Sequence, residues 1–370
     1  VERSRQYETE REALYLTGLD LTQQKNAFSP RLSSTLEAAL NDGPNYLGQL
    51  TESASLGMTW ITPTGGTFAV NGGVDSTRTR ETPSDDDLGG PTDPSSNYNA
   101  SVSFSLPLLA GAGYEATHEP LTQARRNLVY ELRRFERFRS RFTIDVVSSY
   151  YDLVVAKRRV RNAEANLERF AFLRKRSEAL FDADKATALD IFRSRQEELT
   201  AQNNLIREKQ SVANALDRFK LQLGIPTAAD LDVTIVEPPF RPVDVNAESA
   251  VKVALANRLD LRIAVDEVAD AERKARIAKQ FLLPELTLDV DHDLSSLPGA
   301  NVGHLRNDEG RTRVGASLDL PLDKTPERNA WQRSKITVQR ARRTLEERRD
   351  EIRNEVLRFL RDLNTAANTV

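Results

Sequence analysis

FDADKATALD, Phe181 to Asp190, separates two long runs of helix-forming sequence. Upstream, Leu128, Phe135 and Phe142 recur every seven residues, and after a four-residue step the series resumes at Val146, Leu153, Val160 and Leu167. Downstream, Phe192, Leu199, Ile206 and Ala213 keep the same spacing, with Leu216 and Leu223 following a three-residue step. Seven-residue apolar spacing is the seam of a coiled coil, and steps of three or four residues adjust its winding. Leu121 to Ala183 contains no proline or glycine. At about 1.5 Å per residue it makes a rod of roughly 95 Å, too long for the core of one domain. The expectation is an antiparallel hairpin of two long helices turning at residues 181–190, with Phe135, Phe142, Leu153, Val160, Leu199 and Ile206 buried along it.

The totals narrow the function classes. The chain has 370 residues, a formal charge of −3, 29% charged residues and no cysteine. Near-neutral charge argues against a nucleic-acid binder. The Arg-dense stretches Arg125–Arg141 and Arg340–Arg353 have Glu interleaved, which reads as a solvated helix face. Absence of cysteine excludes disulfides and thiolate metal sites. No apolar run approaches the roughly 18 residues of a membrane-spanning helix. The chain opens on Val1 with no recognisable signal peptide and reads as a fragment that begins and ends inside helices.

Elsewhere the period changes from seven to two. In Arg31–Leu40, Leu32, Leu36, Ala38 and Leu40 share a face opposite Arg31, Ser33, Thr35 and Glu37. In Ser53–Thr62, Ala54, Leu56, Met58 and Trp60 oppose Ser53, Ser55, Gly57 and Thr59. After the turn Pro63–Gly66, Phe68, Val70 and Val74 oppose Thr67, Asn71 and Asp75; later Val102, Phe104, Leu106 and Leu108 oppose Ser101, Ser103 and Ser105. Alternation of this kind is the mark of strands. They suit a soluble sandwich or a membrane barrel. The connectors Asn41–Glu52 and Thr77–Asn97 read as long and polar against the short Pro63–Gly66, and alternating long and short connectors favour an outer-membrane barrel.

The second half repeats the plan. Leu223-Gly224-Ile225-Pro226 stops the second long helix. An extended link, Thr227–Asp244, carries one apolar run, Val233–Val236. Asn246 caps a short helix to about Ala256, and a helix from Leu261 to about Phe281 ends before Pro284. Leu286, Leu288 and Val290 then oppose Glu285, Thr287, Asp289 and Asp291; Val314, Ala316, Leu318 and Leu320 oppose Arg313, Ser317 and Asp319. Thr325-Pro326 reads as an N-cap before a last long helix. FSPRLSSTLEA (Phe28–Ala38) pairs with LLPELTLDVDH (Leu282–His292), SFSLPL (Ser103–Leu108) with ASLDLPL (Ala316–Leu322), and QARRNL (Gln123–Leu128) with RARRTL (Arg340–Leu345). The chain is an internal two-fold repeat.

On these residues the sequence resembles the TolC family of outer-membrane efflux proteins. The resemblance rests on Pro30 and Pro284 at the helix-to-strand junctions, LPLLAGAG (Leu106–Gly113), the turn FDADKATALD, its tail Leu199–Pro226, and NRLDL (Asn257–Leu261), taken in order. It implies an α+β membrane protein: long helical hairpins of a periplasmic α-barrel joined to a transmembrane β-barrel. It further implies a homotrimer in the outer membrane that works passively as the exit duct of a tripartite efflux or type I secretion system. The implied partners are a periplasmic adaptor, an inner-membrane transporter and outer-membrane lipid, with no nucleic acid and no cofactor. The expected divisions are 1–26 helix, 27–113 strands and loops of the first repeat, 114–226 long hairpin and 227–260 link with a short helix. They continue as 261–282 helix, 283–322 β-hairpin and 323–370 long helix of the second repeat. The alternative is a structural coiled-coil protein whose strands form a soluble sandwich.

By the same resemblance Asp182, Ala183, Asp184, Lys185, Ala186 and Thr187 form the tip where an adaptor docks. Thr187 and Asp190 also fit a capping box, an ordinary structural role. The family usually has Gly where Asp184 stands, and Asp reaches the left-handed conformation. The family gives two strands per repeat against the four counted in the first, so the extra hairpin is either a strand pair or an extended loop. The second helical hairpin, with the family's gating residues, is expected after Val370. Glu285, Thr287, Asp289, Asp291, Arg313, Ser317 and Asp319 are expected to line a wet lumen, and the alternating apolar residues to meet lipid. Trp60 and Phe104 belong either to an interfacial aromatic girdle or to barrel packing. Tyr150 and Tyr151 read as helix-packing residues. His118, His292 and His304 have no metal-ligand spacing; His292, within Asp291-His292-Asp293, reads as an ordinary strand residue. No nucleophile–base pair, phosphate loop or carboxylate pair marks an enzyme.

Overall fold

Pro30 cannot continue the first helix, and from Arg31 the chain runs as strand. The computed structural model describes residues 4–43, 46–81, 95–234, 236, 245–296 and 310–369. Within these, six strands form one antiparallel sheet in chain order: β1 (Arg31–Gly43), β2 (Tyr46–Ile61), β3 (Thr67–Glu81), β4 (Ser95–Pro107), β5 (Glu285–Ser295) and β6 (Arg311–Asp319). The connector expected at Asn41–Glu52 is absent, because β1 and β2 continue through it to a two-residue gap. Gly48 and the bulge beside it absorb the irregularity that reads as a loop. Of the connector expected at Thr77–Asn97, the ends belong to β3 and β4 and residues 82–94 lie outside the described residues. So do residues 297–309, including His304. Four strands precede the long helices α3 and α4, two follow them, and among the described residues every strand joins the one sheet. The sandwich alternative therefore has no second layer there.

The chain divides into two units, Val1–Leu16 with Glu131–Asn246 and Asn364–Val370, and Thr17–Tyr130 with Ala247–Leu363. The second holds the sheet. In it, α2 (Tyr114–Thr117) leads from β4 towards α3 (Glu119–Asp182), and α5 (Ala247–Asn257) and α6 (Leu259–Gln280) precede β5. Gln280 Nε2 donates to the carbonyls of Leu109 (3.1 Å) and Ala112 (2.7 Å). Ala110 N–H donates to Pro284 O at 3.2 Å. These bonds hold the β4-to-α2 junction and the α6-to-β5 junction side by side. His118 stacks between Phe28 (4.4 Å) and Tyr114 (4.0 Å). The last helix, α7 (Thr325–Thr369), begins at the expected cap and not after it: Thr325 is already helical, and its N–H donates to Asp323 Oδ1 at 2.8 Å.

The first unit holds most of α3, the helix α4 (Ala188–Leu223) and the first turns of α1 (Arg5–Asn26). The helices α3 and α4 run antiparallel, joined by the ion pairs Arg174–Glu198 and Lys209–Glu164. Leu153, wholly buried, packs with Phe219, Val233, Val146, Tyr150, Val212 and Leu216. Phe135, Phe138 and Phe142 surround Tyr7 of α1, with ring centroids 5.6 to 6.3 Å away. Beyond α4, Gly224 takes a left-handed φ of 74° and Ile225 N–H donates to Lys220 O at 2.9 Å, which closes the helix. The chain then returns along α3, where Lys157 Nζ binds Asp232 (2.6 Å) and Val233 O (2.8 Å), and Tyr150 Oη donates to Thr234 O (2.7 Å). Residue 235 of the expected apolar run lies outside the described residues.

One expectation fails here. Leu199 and Ile206 are exposed, at 54% and 61%, as is Phe192. The stripe of α4 that is shielded is Ser194, Glu198, Ala201, Leu205, Glu208, Val212 and Phe219, which carries its own three-and-four spacing. The more apolar heptad points away from α3. In the other limb Phe142 and Leu153 are buried and Phe135 and Val160 half-buried.

Candidate functional site

The register gives the sheet two chemically opposite faces, and no catalytic cluster has to be sought to see what they do. On one face, rungs of directly opposed residues read Trp60–Phe68–Phe104–Val290–Val314, Leu32–Met58–Val70–Val102–His292, and Leu36–Ala54–Val74–Tyr98. Leu106–Leu288–Ala316 and Leu286–Leu318 extend it toward the helix end. Among the described residues these side chains meet no second layer, and Leu36, at 83% exposure, stands for many. Trp60 and Phe104 lie in one rung with Phe68 between them.

The other face carries Thr59–Ala69–Ser103–Asp291–Arg313, Gly57–Asn71–Ser101–Asp293–Arg311, and Glu37–Ser53–Asp75–Asn97. All seven residues expected on a lumen face fall on it. Glu285 opposes Asp319, Thr287 opposes Ser317, Asp291 opposes Arg313, and Asp289 opposes Gly315. Ser105 Oγ donates to Asp289 Oδ1 at 2.7 Å, and Asn99 Nδ2 to Asp75 Oδ2 at 3.0 Å. This face is crowded: a Cβ on Gly57 would stand 2.7 Å from Asn71 Oδ1 and 3.0 Å from Ser33 Oγ. His292 lies on the opposite face from its acidic neighbours, as strand alternation requires. Its Nδ1 lies 2.8 Å from Thr312 Oγ1.

The apolar patch is oblique to the rungs. In β5 it opens at Leu286; in β1 it opens at Leu32, whose rung crosses β5 at His292. Its lower margin thus climbs six residues, roughly 20 Å along the strand, over four strand spacings, roughly 19 Å across.

At the turn between α3 and α4, Asp184 adopts φ 58°. Asp184 N–H donates to Phe181 O (2.9 Å) and Lys185 N–H to Leu180 O (2.8 Å). Thr187 N–H donates to Asp190 Oδ2 (3.0 Å) and Asp190 N–H to Thr187 Oγ1 (3.4 Å), the two halves of a capping box. Hydrogen bonds from the Thr187 hydroxyl and then its backbone hold the Asp190 carboxyl below its ordinary range. Asp182, Ala183, Asp184, Lys185 and Thr187 are exposed and Ala186 half-exposed. They form a bare, charged rim with its backbone fixed from both sides.

A third cluster was not legible beforehand. Asp270 of α6 is buried and accepts from Tyr130 Oη (2.6 Å) and Arg273 Nη1 (2.8 Å), and it pairs with Arg126. Arg273 also pairs with Glu119 at 2.5 and 3.2 Å. Burial pushes the Asp270 carboxyl up, but the Tyr130 hydrogen bond and the two guanidinium groups outweigh it, leaving it below the ordinary range. Burial, reinforced by donation to Asp270, pushes the Tyr130 phenol up to about 12. The members are some 140 residues apart in sequence, so no local pattern announces them.

Comparison with known proteins follows from this geometry. Residues 250–370, which carry α5 to α7 and the β5–β6 hairpin, match the outer membrane efflux protein family. The solved structure of CusC is 12% identical, with a TM-score of 0.67 over 99% of this chain and 75% of that one. The CmeC outer membrane channel of Campylobacter jejuni is 11% identical, TM-score 0.63, over 98% and 70%. The outer membrane protein VceC of Vibrio cholerae is 12% identical, TM-score 0.61, over 93% and 72%. At such identities the likeness establishes the fold. No curated protein matches the sequence.

Proposed function

We propose that this chain is an outer membrane efflux protein, one protomer of a homotrimeric exit duct that conducts substrates passively from a periplasmic adaptor complex to the exterior. The observation that carries the proposal is the oblique apolar band. A rise of roughly 20 Å over roughly 19 Å corresponds to strands tilted by about 45° to the plane of the patch. That is the tilt of strands in outer-membrane barrels. A sandwich has no reason to slant its apolar margin this way. Along β4 and the residue just past it the apolar face runs from Tyr98 to Leu108; ten residues, about 33 Å, tilted by 45° span about 23 Å, close to the apolar height of such barrels. The polar face then lines the lumen, with Glu285, Thr287, Asp289, Asp291, Arg313, Ser317 and Asp319 among its wall.

In this reading α3 and α4 form a periplasmic coiled-coil hairpin, the second unit of an internal repeat being α6 to α7. The exposed row Phe192, Leu199 and Ile206 supports it, because a heptad row that does not face α3 is supplied with a partner when hairpins pack side by side. The rim Asp182 to Thr187 is the adaptor-docking tip, and the energy comes from an inner-membrane transporter. The wall is tested with single cysteines in outer-membrane vesicles. A water-soluble maleimide is expected to label Thr287→Cys and Ser317→Cys and to spare Leu288→Cys and Leu318→Cys. Equal labelling of both pairs refutes the barrel.

A further inference from the structure

The β2–β3 hairpin has no counterpart in the second repeat, where β5 and β6 are the only strands among the described residues. We propose that it is a second membrane-crossing pair, so that each protomer contributes six strands to the barrel wall and a trimer closes with eighteen. This rests on the outer-membrane duct reading above and specifies the wall of that duct.

Three observations carry it. First, the hairpin is paired at full depth. The pairing of β2 with β1 runs from Arg31↔Thr59 to Asn41↔Gln49, and that of β3 with β4 from Thr67↔Ser105 to Thr77↔Ser95. It is part of the sheet from one end to the other, not a flap above it. Second, its turn comes back to the helix end. Gly113, where β4 has already given way to α2, donates its N–H to Thr64 O at 3.0 Å, and Thr62 N–H donates to Gly66 O at 2.6 Å. Gly65 has φ 97°, and a Cβ there would stand 2.8 Å from Thr117 Oγ1. Third, both faces continue through the hairpin without a change of sign. Met58 and Val70 sit in one rung between Leu32 of β1 and Val102 of β4, and Trp60 and Phe68 carry the next rung on to Phe104 of β4. Gly57, Asn71 and Gly73 fill the corresponding places on the polar face. An extended loop outside the membrane has no need of an apolar row aligned with the lipid band, nor of an anchor at the opposite end.

The edges permit closure. β1 leaves the helix end and β6 returns to it, so β6 of one copy meets β1 of the next antiparallel, and the up–down alternation is kept because six is even. Eighteen strands about 4.8 Å apart and tilted by 45° enclose a backbone cylinder roughly 39 Å across, the size class in which barrels hold a water-filled channel.

The test uses tryptophan fluorescence of the full protein reconstituted in bilayers whose acyl chains are brominated near mid-chain. The chain has two tryptophans, so Trp331→Phe leaves Trp60 alone as the reporter. The barrel itself is read from Leu288→Trp on a Trp60→Phe/Trp331→Phe background. The hairpin proposal expects Trp60 to lose at least half its emission, as Leu288→Trp does. Moving the indole one residue, with Thr59→Trp on the same tryptophan-free background, is expected to restore most of it. Quenching at Leu288→Trp but not at Trp60 overturns the hairpin proposal and leaves the barrel standing. Quenching at neither overturns both, and equal quenching at 59 and 60 overturns the six-strand wall. Closure is read from Thr35→Cys combined in turn with Arg311→Cys, Arg313→Cys and Gly315→Cys. A disulfide ladder reaching trimer is expected for at least one pair, and cross-links confined to single chains refute eighteen-strand closure.

Discussion

Replacing Asp270 by alanine should loosen the junction of α6 with the start of α3. The carboxylate is 5% exposed and accepts from Tyr130, Arg273 and Arg126. Removing one member of a buried ionic cluster costs about 3–5 kcal/mol, because the surviving charges stay buried without their counter-charge. Two features lower that figure here. Arg273 keeps Glu119, and Arg126 keeps Asp266 at 3.3 Å with 29% of its side chain exposed. The expected loss is therefore about 2–4 kcal/mol, which by the tenfold-per-1.4 kcal/mol rule reduces amide protection in α6 roughly 30- to 1,000-fold. Hydrogen exchange read by mass spectrometry on peptides from α6, with β5 peptides as reference, measures it. Tyr130→Phe should cost less, about 1.5–3 kcal/mol, the range for a hydrogen bond to a charged group. The double variant should fall short of additivity. The pH dependence has a definite sign. Asp270 has a folded pKa below its unfolded value of about 4, so its contribution is complete above that value and fades as pH falls through the folded one. Asp270→Asn should flatten that acid limb. Unchanged α6 protection in Asp270→Ala at pH 7 would refute the role given to the cluster.

Leu153→Ala should destabilise by about 2–5 kcal/mol, since the side chain is wholly buried; Leu199→Ala should leave helix protection in the detergent-separated protomer within about 0.5 kcal/mol. A comparable loss at both positions, measured by denaturant unfolding, would show that the exposed row has been misread. Gly65→Ala should cost about 1–3 kcal/mol from its positive φ and the close Thr117 hydroxyl, visible as a lowered melting temperature; an unchanged one contradicts the turn geometry. Ala183→Glu/Ala186→Glu should abolish cross-linking to the adaptor and export while outer-membrane trimer levels stay normal, and intact cross-linking would place adaptor contact elsewhere.

Strands were legible wherever an apolar row met a polar one, as in Ser101–Leu108. They were hidden at Asn41–Glu52, where Asn41-Asp42-Gly43 and Gly48-Gln49 read as turn residues and break the alternation, although Leu40 still opposes Leu50. There the backbone goes on pairing while the side chains no longer report it. The long helices were equally plain, but which heptad of α4 faces α3 was not. Phe192, Leu199 and Ile206 form the more apolar row, and periodicity says only that a row has a partner, never which one. The shielded row admits Ser194, Glu198 and Glu208 because Glu198 finds Arg174 across the gap. The cluster around Asp270 was invisible for a different reason: its pairings are made by chain segments remote in sequence.

The β4–β5 seam joins residues such as Ser105 and Asp289, 184 positions apart, whereas every other seam of the sheet links neighbours in the chain. The sheet is thus two locally made pieces, a four-strand meander and a hairpin, with one long-distance suture. Its assembly should be slow and late, since contacts of high sequence separation must meet a loop-closure entropy before they return anything. The bonds from Gln280 to Leu109 and Ala112, and from Arg273 to Glu119, lie at the foot of that suture. Once made, they shorten the effective loop to a few residues. A chain that forms these contacts early presents β4 and β5 already aligned, and the suture then zips from the helix end outward.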